Sequence, residues 1–454
     1  MSGKSPVPDA PSRNDNSLLR GIPSVERLLT DHDLDGLIGT YGRDAVKRHL
    51  TRELERFRAA PDAPFSKERL VAALGDALAA AWASSLVRVI NASGVIIHTN
   101  LGRSPVDGRL WSDAGVLVSH YSNLEFDLAK GERGRRDDHL RQIAGSLFGA
   151  EAAILTNNNA SAVLLVLATL AAGKEVIVSR GELVEIGGGF RVPDVLRQGG
   201  AKLREVGTTN KTRAADFEEA IGEETAALLR VHRSNFEIVG FTESPTVSQL
   251  AELGRERGIP LVMDEGAGHV VDVSKYGFSR KETIRELIES GVDVVTCSTD
   301  KLIGATQGGL IIGREEIVRK CARHPLMRAL RAGKESYALI GAALRTFGSG
   351  QHEQRIPIYR MLATPVEELH LRASALAESC GGEVVETRSA LGGGTTPTET
   401  IPSAGVALPG DGQANYERLL HATIPIVSRI ENDRCILDLR TVLRDEDDVL
   451  RAEI

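Results

Sequence analysis

Apolar residues recur at helical spacing from Pro23 to about Ala80: Val46, Leu50, Leu54 and Phe57 form one stripe, while Arg48, Arg52 and Arg56 form another at i, i+4. The pattern predicts a small helical domain over 21–83, punctuated by Pro61 and Pro64. From residue 84 the chain turns strand-forming through Val87–Arg103 and ends there on a glycine turn, which opens a second domain, 84–364. Within it, the short apolar runs Ala153–Thr156, Glu175–Ser179, Ala227–Val231, Pro260–Asp264, Val292–Thr296 and Gly309–Gly313 alternate with amphipathic helical stretches. Runs of that length suit strands buried on both faces, so the expectation is an α/β fold with a mostly parallel sheet wrapped by helices. After Thr364 a helix is followed by strand-like Ile401–Leu408, Ile424–Ile430 and Cys435–Leu439, which predicts a C-terminal α+β domain over 365–454. Residues 1–20, polar and proline-bearing, read as a disordered tail.

Composition narrows the functional classes. At 454 residues and 42% hydrophobic content the chain can bury a large core in two or three domains. A net charge of -7 argues against indiscriminate coating of nucleic acid, so any such binding must come from a local basic patch. Cys297, Cys321, Cys380 and Cys435 have no CxxC or CxH spacing, which argues against a disulfide framework or a zinc site and suits a reduced compartment, the cytoplasm. No apolar signal region opens the chain, and the alanine-rich stretch near residues 70–90 is broken by Asp76 and Arg88, so no membrane span is expected.

The chemistry concentrates at sheet edges. Lys301 follows an apolar run and precedes a glycine-rich turn with Gly304, Gly308 and Gly309. A lysine at the rim of a buried strand is costly unless it has work, and one such task is a Schiff base with pyridoxal phosphate. That cofactor also needs an acid at its ring nitrogen and an anion site for its phosphate. Asp264, at the end of its predicted strand, would serve the ring nitrogen from the carboxyl edge of the sheet. Asn157, Asn158 and Asn159 join a strand to an apolar helix whose free N–H groups attract a dianion, and Ser298 adds a hydroxyl. The Asp264-to-Lys301 spacing, one strand-helix-strand step, suits an aspartate-aminotransferase-like fold.

The chain resembles bacterial selenocysteine synthases, the L-seryl-tRNA(Sec) selenium transferases. The likeness runs through Ile22–Leu29, Ile96–Pro105, Tyr121–Asp127, Ser179–Gly188, Glu205–Asn210, His324–Arg331 and Leu437–Val442, nearly the whole chain after residue 20. The resemblance implies a fold type I pyridoxal phosphate enzyme. Such an enzyme eliminates the hydroxyl of a seryl group esterified to its tRNA, giving dehydroalanyl-tRNA, and adds selenium from selenophosphate. It further implies that Lys301 carries the cofactor, that Asp300 acts beside it near the selenium donor, and that Arg103, Arg328 and Arg331 line the donor's phosphate-type pocket. Arg328 and Arg331, at i, i+3, are expected on one helix face. The N-terminal domain is expected to hold the tRNA, with Arg43, Lys47, Arg48, Arg52 and Arg56 as the basic surface. A homo-oligomer, a decameric ring of dimers with sites between subunits, is implied as well.

The chain departs from the family pattern at Thr299, where glycine is usual, and at Ala305–Thr306, Asp138 and Arg233. Thr299 predicts a different local turn, because a β-branched residue strains in glycine's backbone region. Two other classes compete. One is a pyridoxal-dependent lyase for a small amino acid or phosphorylated amino sugar, which would not need the N-terminal domain. The other is a tRNA-binding scaffold on a retired enzyme fold, which the presence of Asp264, Asp300, Lys301 and the three arginines argues against.

Overall fold

The computed structural model describes residues 21–59, 65–186 and 189–454; the expected tail 1–20 and the prolines Pro61 and Pro64 lie outside the described residues. The chain divides into two compact units, one up to Arg88 and one from Val89 onward.

In the first unit, α1 (Arg43–Ala59) and α2 (Lys67–Trp82) carry the apolar periodicity. Val46, Leu50 and Leu54 of α1 meet Leu70, Leu74 and Leu78 of α2, with Leu28, Leu29 and Leu34 completing a small core. Each such leucine contributes about 2 kcal/mol by leaving water. Ser66 caps α2 by accepting from Arg69 N at 3.2 Å. Phe57 is only half-buried and packs edge-on against Phe65, 5.9 Å between ring centres.

The second unit is built on a seven-stranded sheet: β1 (Ala152–Thr156), β2 (Glu175–Ser179), β3 (Lys202–Val206), β4 (Thr225–Val231), β5 (Leu261–Gly266), β6 (Val294–Ser298) and β7 (Gly309–Gly313). Its spatial order is β1-β7-β6-β5-β4-β2-β3. All neighbours are parallel except β7, which runs antiparallel to β6 and β1. This is the expected α/β architecture, a mostly parallel sheet wrapped by helices. The six apolar runs each become a strand because their side chains bury alternately into two cores. One lies under α3 (Asn159–Ala171), and the other under α4 (Val247–Arg257) and α5 (Lys334–Gly348). Edge strand β3 escaped the sequence pattern because Lys202, Arg204 and Glu205 face solvent on an edge where burial does not select apolar residues.

The strand-forming stretch expected over Val87–Arg103 gives only a two-residue strand, Ile90–Asn91, paired with Ile426–Val427, and isolated bridges at Val95 and His98. Ser93 N donates to Asn91 Oδ1 at 3.1 Å and Asn91 Nδ2 to Val95 O at 2.9 Å, a side-chain turn that outcompetes the ladder. Beyond it, Ile96 and Ile97 donate to Ala390 and Leu391. Those acceptors belong to β8 (Glu383–Gly392), which with β9 (Thr396–Ala407), β10 (Arg429–Glu431) and β11 (Arg434–Asp438) makes an antiparallel sheet of order β8-β9-β11-β10 covered by α6 (Val366–Cys380). The β8–β9 turn, Gly393–Thr395, reaches the carboxyl edge of the main sheet, where Gly394 N donates to Ser234 O at 3.0 Å. No helix among the described residues is long and apolar enough to cross a membrane.

Candidate active site

Lys301 stands just beyond β6, in the turn that leads to β7, and is buried at 8% exposure. Its Nζ donates to Gly394 O at 3.1 Å. A Cβ on Gly394, whose φ is +86°, would lie 2.5 Å from that nitrogen, so glycine is what lets this turn close over the amine. Burial first, then the charge of Arg103, pull the Lys301 amine below its ordinary 10.5; Asp264, Asp300 and Glu265 oppose them.

Asp264 lies in β5 opposite Thr296 of β6 and Val231 of β4, two residues before the strand ends, with a register shift just after it. Its Oδ1 accepts from Asn159 Nδ2 at 2.8 Å and Thr296 Oγ1 at 3.2 Å. Burial pushes the carboxyl up from its ordinary 3.8, against the hydrogen bond from Asn159, the charge of Lys301 and the bond from Thr296. Its direct hydrogen-bond donors are both neutral, and Lys301 acts on it through charge alone.

Asp300 and Arg103 meet directly, Nη1 to Oδ2 at 2.6 Å. Arg103 adopts φ +66°, one of the few non-glycine residues in the left-handed region. Such strain persists only where its surroundings impose it. Here Arg103 N donates to His98 O, Ser104 N to Asp300 O and Ser104 Oγ to Lys301 O at 2.6 Å, so the 98–104 loop grips the Asp300–Lys301 backbone.

The asparagines divide their work. Asn158 caps α3 by accepting from Ser161 N at 2.8 Å, Asn159 is spent on Asp264, and Asn157 is exposed with its N–H on Leu330 O. Ser298 ends β6, buried beside them in the sheet. Arg331 is tied to the same corner through a backbone bridge to Thr156 and pairs with Glu125 at 3.2 Å.

The common helix face expected for Arg328 and Arg331 does not form. Only the single turn Met327–Leu330 is helical, and Arg331 is extended at φ -68°, ψ 142° because its bridge to Thr156 and the bond from Asn157 to Leu330 draw the chain straight. Arg328 is exposed and has no ion pair among the described residues.

Thr299 takes no left-handed conformation; it is fully buried and its Oγ1 donates to Thr306 O at 2.6 Å. A threonine in this turn therefore adds a bond without strain. The charges of Asp138 and Arg233 are turned to local partners, Arg135 at 2.9 Å and Ser244 at 3.1 Å.

Among the described residues, Asn159 Oδ1, Ser234 Oγ, Asp300 Oδ1 and His98 Nδ1 are buried without partners, and of these four residues sequence reasoning missed Ser234 and His98. Ser234 and His98 sit in the turns after β4 and before Arg103, positions marked in sequence only by their place at a strand end. Pyridoxal phosphate fits this donor set: Asp264 has no direct cationic hydrogen-bond donor, the buried Lys301 amine acts on it through charge, and buried polar atoms of Asn159, Ser234 and Asp300 have no partner among the described residues.

Comparison with known proteins adds a family. Residues 89–443 match the model of L-seryl-tRNA selenium transferase, and residues 19–58 match that of the selenocysteine synthase N terminus. The L-seryl-tRNA(Sec) selenium transferase of Geobacter sulfurreducens is 43% identical over 94% of this chain and 96% of its own length. The one from Carboxydothermus hydrogenoformans is 40% identical over 95% and 96%. Among solved structures, a D-glucosaminate-6-phosphate ammonia-lyase superposes with TM-score 0.60 and 23% identity, covering 81% of this chain and 95% of the lyase, which speaks for the fold alone.

Proposed function

The chain belongs to the L-seryl-tRNA selenium transferase family and converts seryl-tRNA(Sec) to selenocysteinyl-tRNA(Sec), and we propose that Lys301 carries the pyridoxal phosphate this conversion needs. The observation that carries the reading is that two buried groups of opposite charge type, Lys301 and Asp264, act on each other at one sheet edge of a chain that matches the family along nearly its full length.

Lys301 and Asp264 would hold the cofactor, with the start of α3 and Ser298 at its phosphate. Bound there, pyridoxal phosphate supplies an electron sink that stabilises negative charge at the seryl α-carbon, so the β-hydroxyl can leave. The chain's own groups do the rest. The lowered amine of Lys301 accepts the α-proton at Nζ and can return it. The Asp264 carboxylate, its Oδ1 fixed by Asn159 and Thr296, would serve as counter-ion to the cofactor's ring nitrogen. Asp300 keeps Arg103 aimed at the edge, and the loop 392–395 screens the amine from water. Arg103, Arg328 and Arg331 would take the phosphate group of selenophosphate, a planar fork suiting its oxygens.

The N-terminal helices would hold the tRNA. Arg48 and Arg52 of α1 are exposed with no ion pair among the described residues, whereas Arg43 and Lys47 reach Glu26 and Arg56 reaches Glu53. Assembly as a ring of dimers with sites between subunits, and a cytoplasmic setting among charged tRNAs, complete the proposal.

Purified protein given seryl-tRNA(Sec) and selenophosphate should yield selenocysteinyl-tRNA(Sec), measured as selenium incorporated into aminoacyl-tRNA. Turnover of free amino acids or amino sugars with no response to the tRNA would instead identify a small-substrate lyase.

A further inference from the structure

Glu125, in the turn before the short Phe126–Asp127 strand, gathers three guanidiniums. Its Oε1 accepts from Arg136 Nε at 2.6 Å and Arg331 Nη1 at 3.2 Å, and Arg133 Nη2 stands 3.6 Å from Oε2. These hold its carboxyl below the ordinary range, the bond from Arg136 foremost. Neither of the two close arginines depends on Glu125 for its place: Arg136 Nη1 donates to Ala332 O at 2.6 Å, and the Arg331 backbone is bridged to Thr156. Three cations around one carboxylate carry charge to spare, and the side chains remain partly open, with Arg331 28% and Glu125 33% exposed.

We propose that Glu125 is a specificity-determining residue of the donor pocket. Its carboxylate occupies the face of Arg331 and Arg136 that a phosphate-type oxyanion would take, so a dianion displaces it where a monoanion does not. The inference rests on the assignment of Arg331 to that pocket and concerns a residue that assignment does not include. The physical basis is competition: a carboxylate and a phosphate offer the same bidentate oxygens to a guanidinium, and the ligand with more charge wins. Weak anions such as chloride are thereby kept off a site that must stay free for a scarce donor.

The test is titration calorimetry of the cofactor-loaded full chain with inorganic phosphate, without tRNA, at low and high chloride. Glu125→Gln keeps an oxygen for Arg136 but removes the competing charge. It should bind phosphate about fivefold tighter, and chloride should now compete with phosphate more strongly than in the native protein. Arg331→Gln should bind phosphate about tenfold weaker. A purely structural Glu125 predicts the opposite sign, because loosened arginines would bind the anion less well. Phosphate affinity that is unchanged or weaker in Glu125→Gln, or unchanged in Arg331→Gln, overturns the proposal. Should Glu125→Gln not fold, Glu125→Asp, whose shorter arm cannot span both arginines, should show a smaller tightening, and no tightening overturns it equally. Selenium transfer to tRNA by the native protein is scored separately, so failure of the activity and failure of this role are told apart.

Discussion

At Lys301, burial and the charge of Arg103 outweigh Asp264, Asp300 and Glu265, and its protonation is therefore linked to the stability of the fold. Its pKa in the folded chain lies below 10.5, so between the two values the unfolded chain binds more protons. Stability therefore rises with pH across that window, and the penalty of holding the amine is greatest below it. Lys301→Met removes this dependence. In urea denaturation of the cofactor-free protein, the difference in unfolding free energy between Lys301→Met and the native chain should favour methionine most near neutral pH and shrink as pH approaches 10.5. A difference that stays flat with pH would show that the amine is not held in this way. Arg103 makes the complementary point at the same scale. A left-handed arginine costs of order 1 kcal/mol, and its surroundings spend that cost on aiming one guanidinium at Asp300.

Among elements, the β6–turn–β7 hairpin decides where the amine stands. Gly309 pairs with Thr156 across β7 and β1, and a Cβ there would run into the Asn158 carbonyl, so the start of α3 and the lysine turn can pack only around glycine. Thr299 contributes an internal bond and full burial to that turn. Thr299→Gly should lower stability by about 1–2 kcal/mol in the same denaturation assay, leaving Thr306 O without its donor and adding backbone freedom to the unfolded chain. An unchanged or raised stability would mean that the turn prefers glycine after all. In α1, the exposed Arg48 and Arg52 give a second test. Arg48→Glu with Arg52→Glu should weaken tRNA(Sec) binding about tenfold or more in a filter-binding assay while leaving the cofactor spectrum intact. Equal binding by the double variant would remove this face from the tRNA surface.

At the scale of the whole molecule, the main sheet was legible because its strands are short apolar runs buried on both faces; charge at the end of such a run is anomalous and singled out Asp264 and Lys301, both buried in the structure, while Asp300 came only from the family resemblance. What escaped has an equally physical cause. Edge strand β3 faces solvent and keeps its charges, and the Val87–Ile97 segment is diverted by Asn91 and Ser93 and bonded to β8, a partner almost three hundred residues away. Gly394 over the amine, the buried Ser234 Oγ and His98 Nδ1 that have no partner among the described residues, and the Glu125 cluster arise from contacts between distant segments, which no local pattern encodes. The helix expected to align Arg328 with Arg331 failed for the same reason, since a bridge to Thr156 outweighs the propensity of one short turn.

The central claim is that one particular amine binds the cofactor. Borohydride reduction of the native protein after incubation with pyridoxal phosphate, followed by peptide mass spectrometry, tests it directly. The prediction is a reduced pyridoxyl group on Lys301 and its loss in Lys301→Ala, whereas a group found on another lysine, or none retained at all, would contradict it.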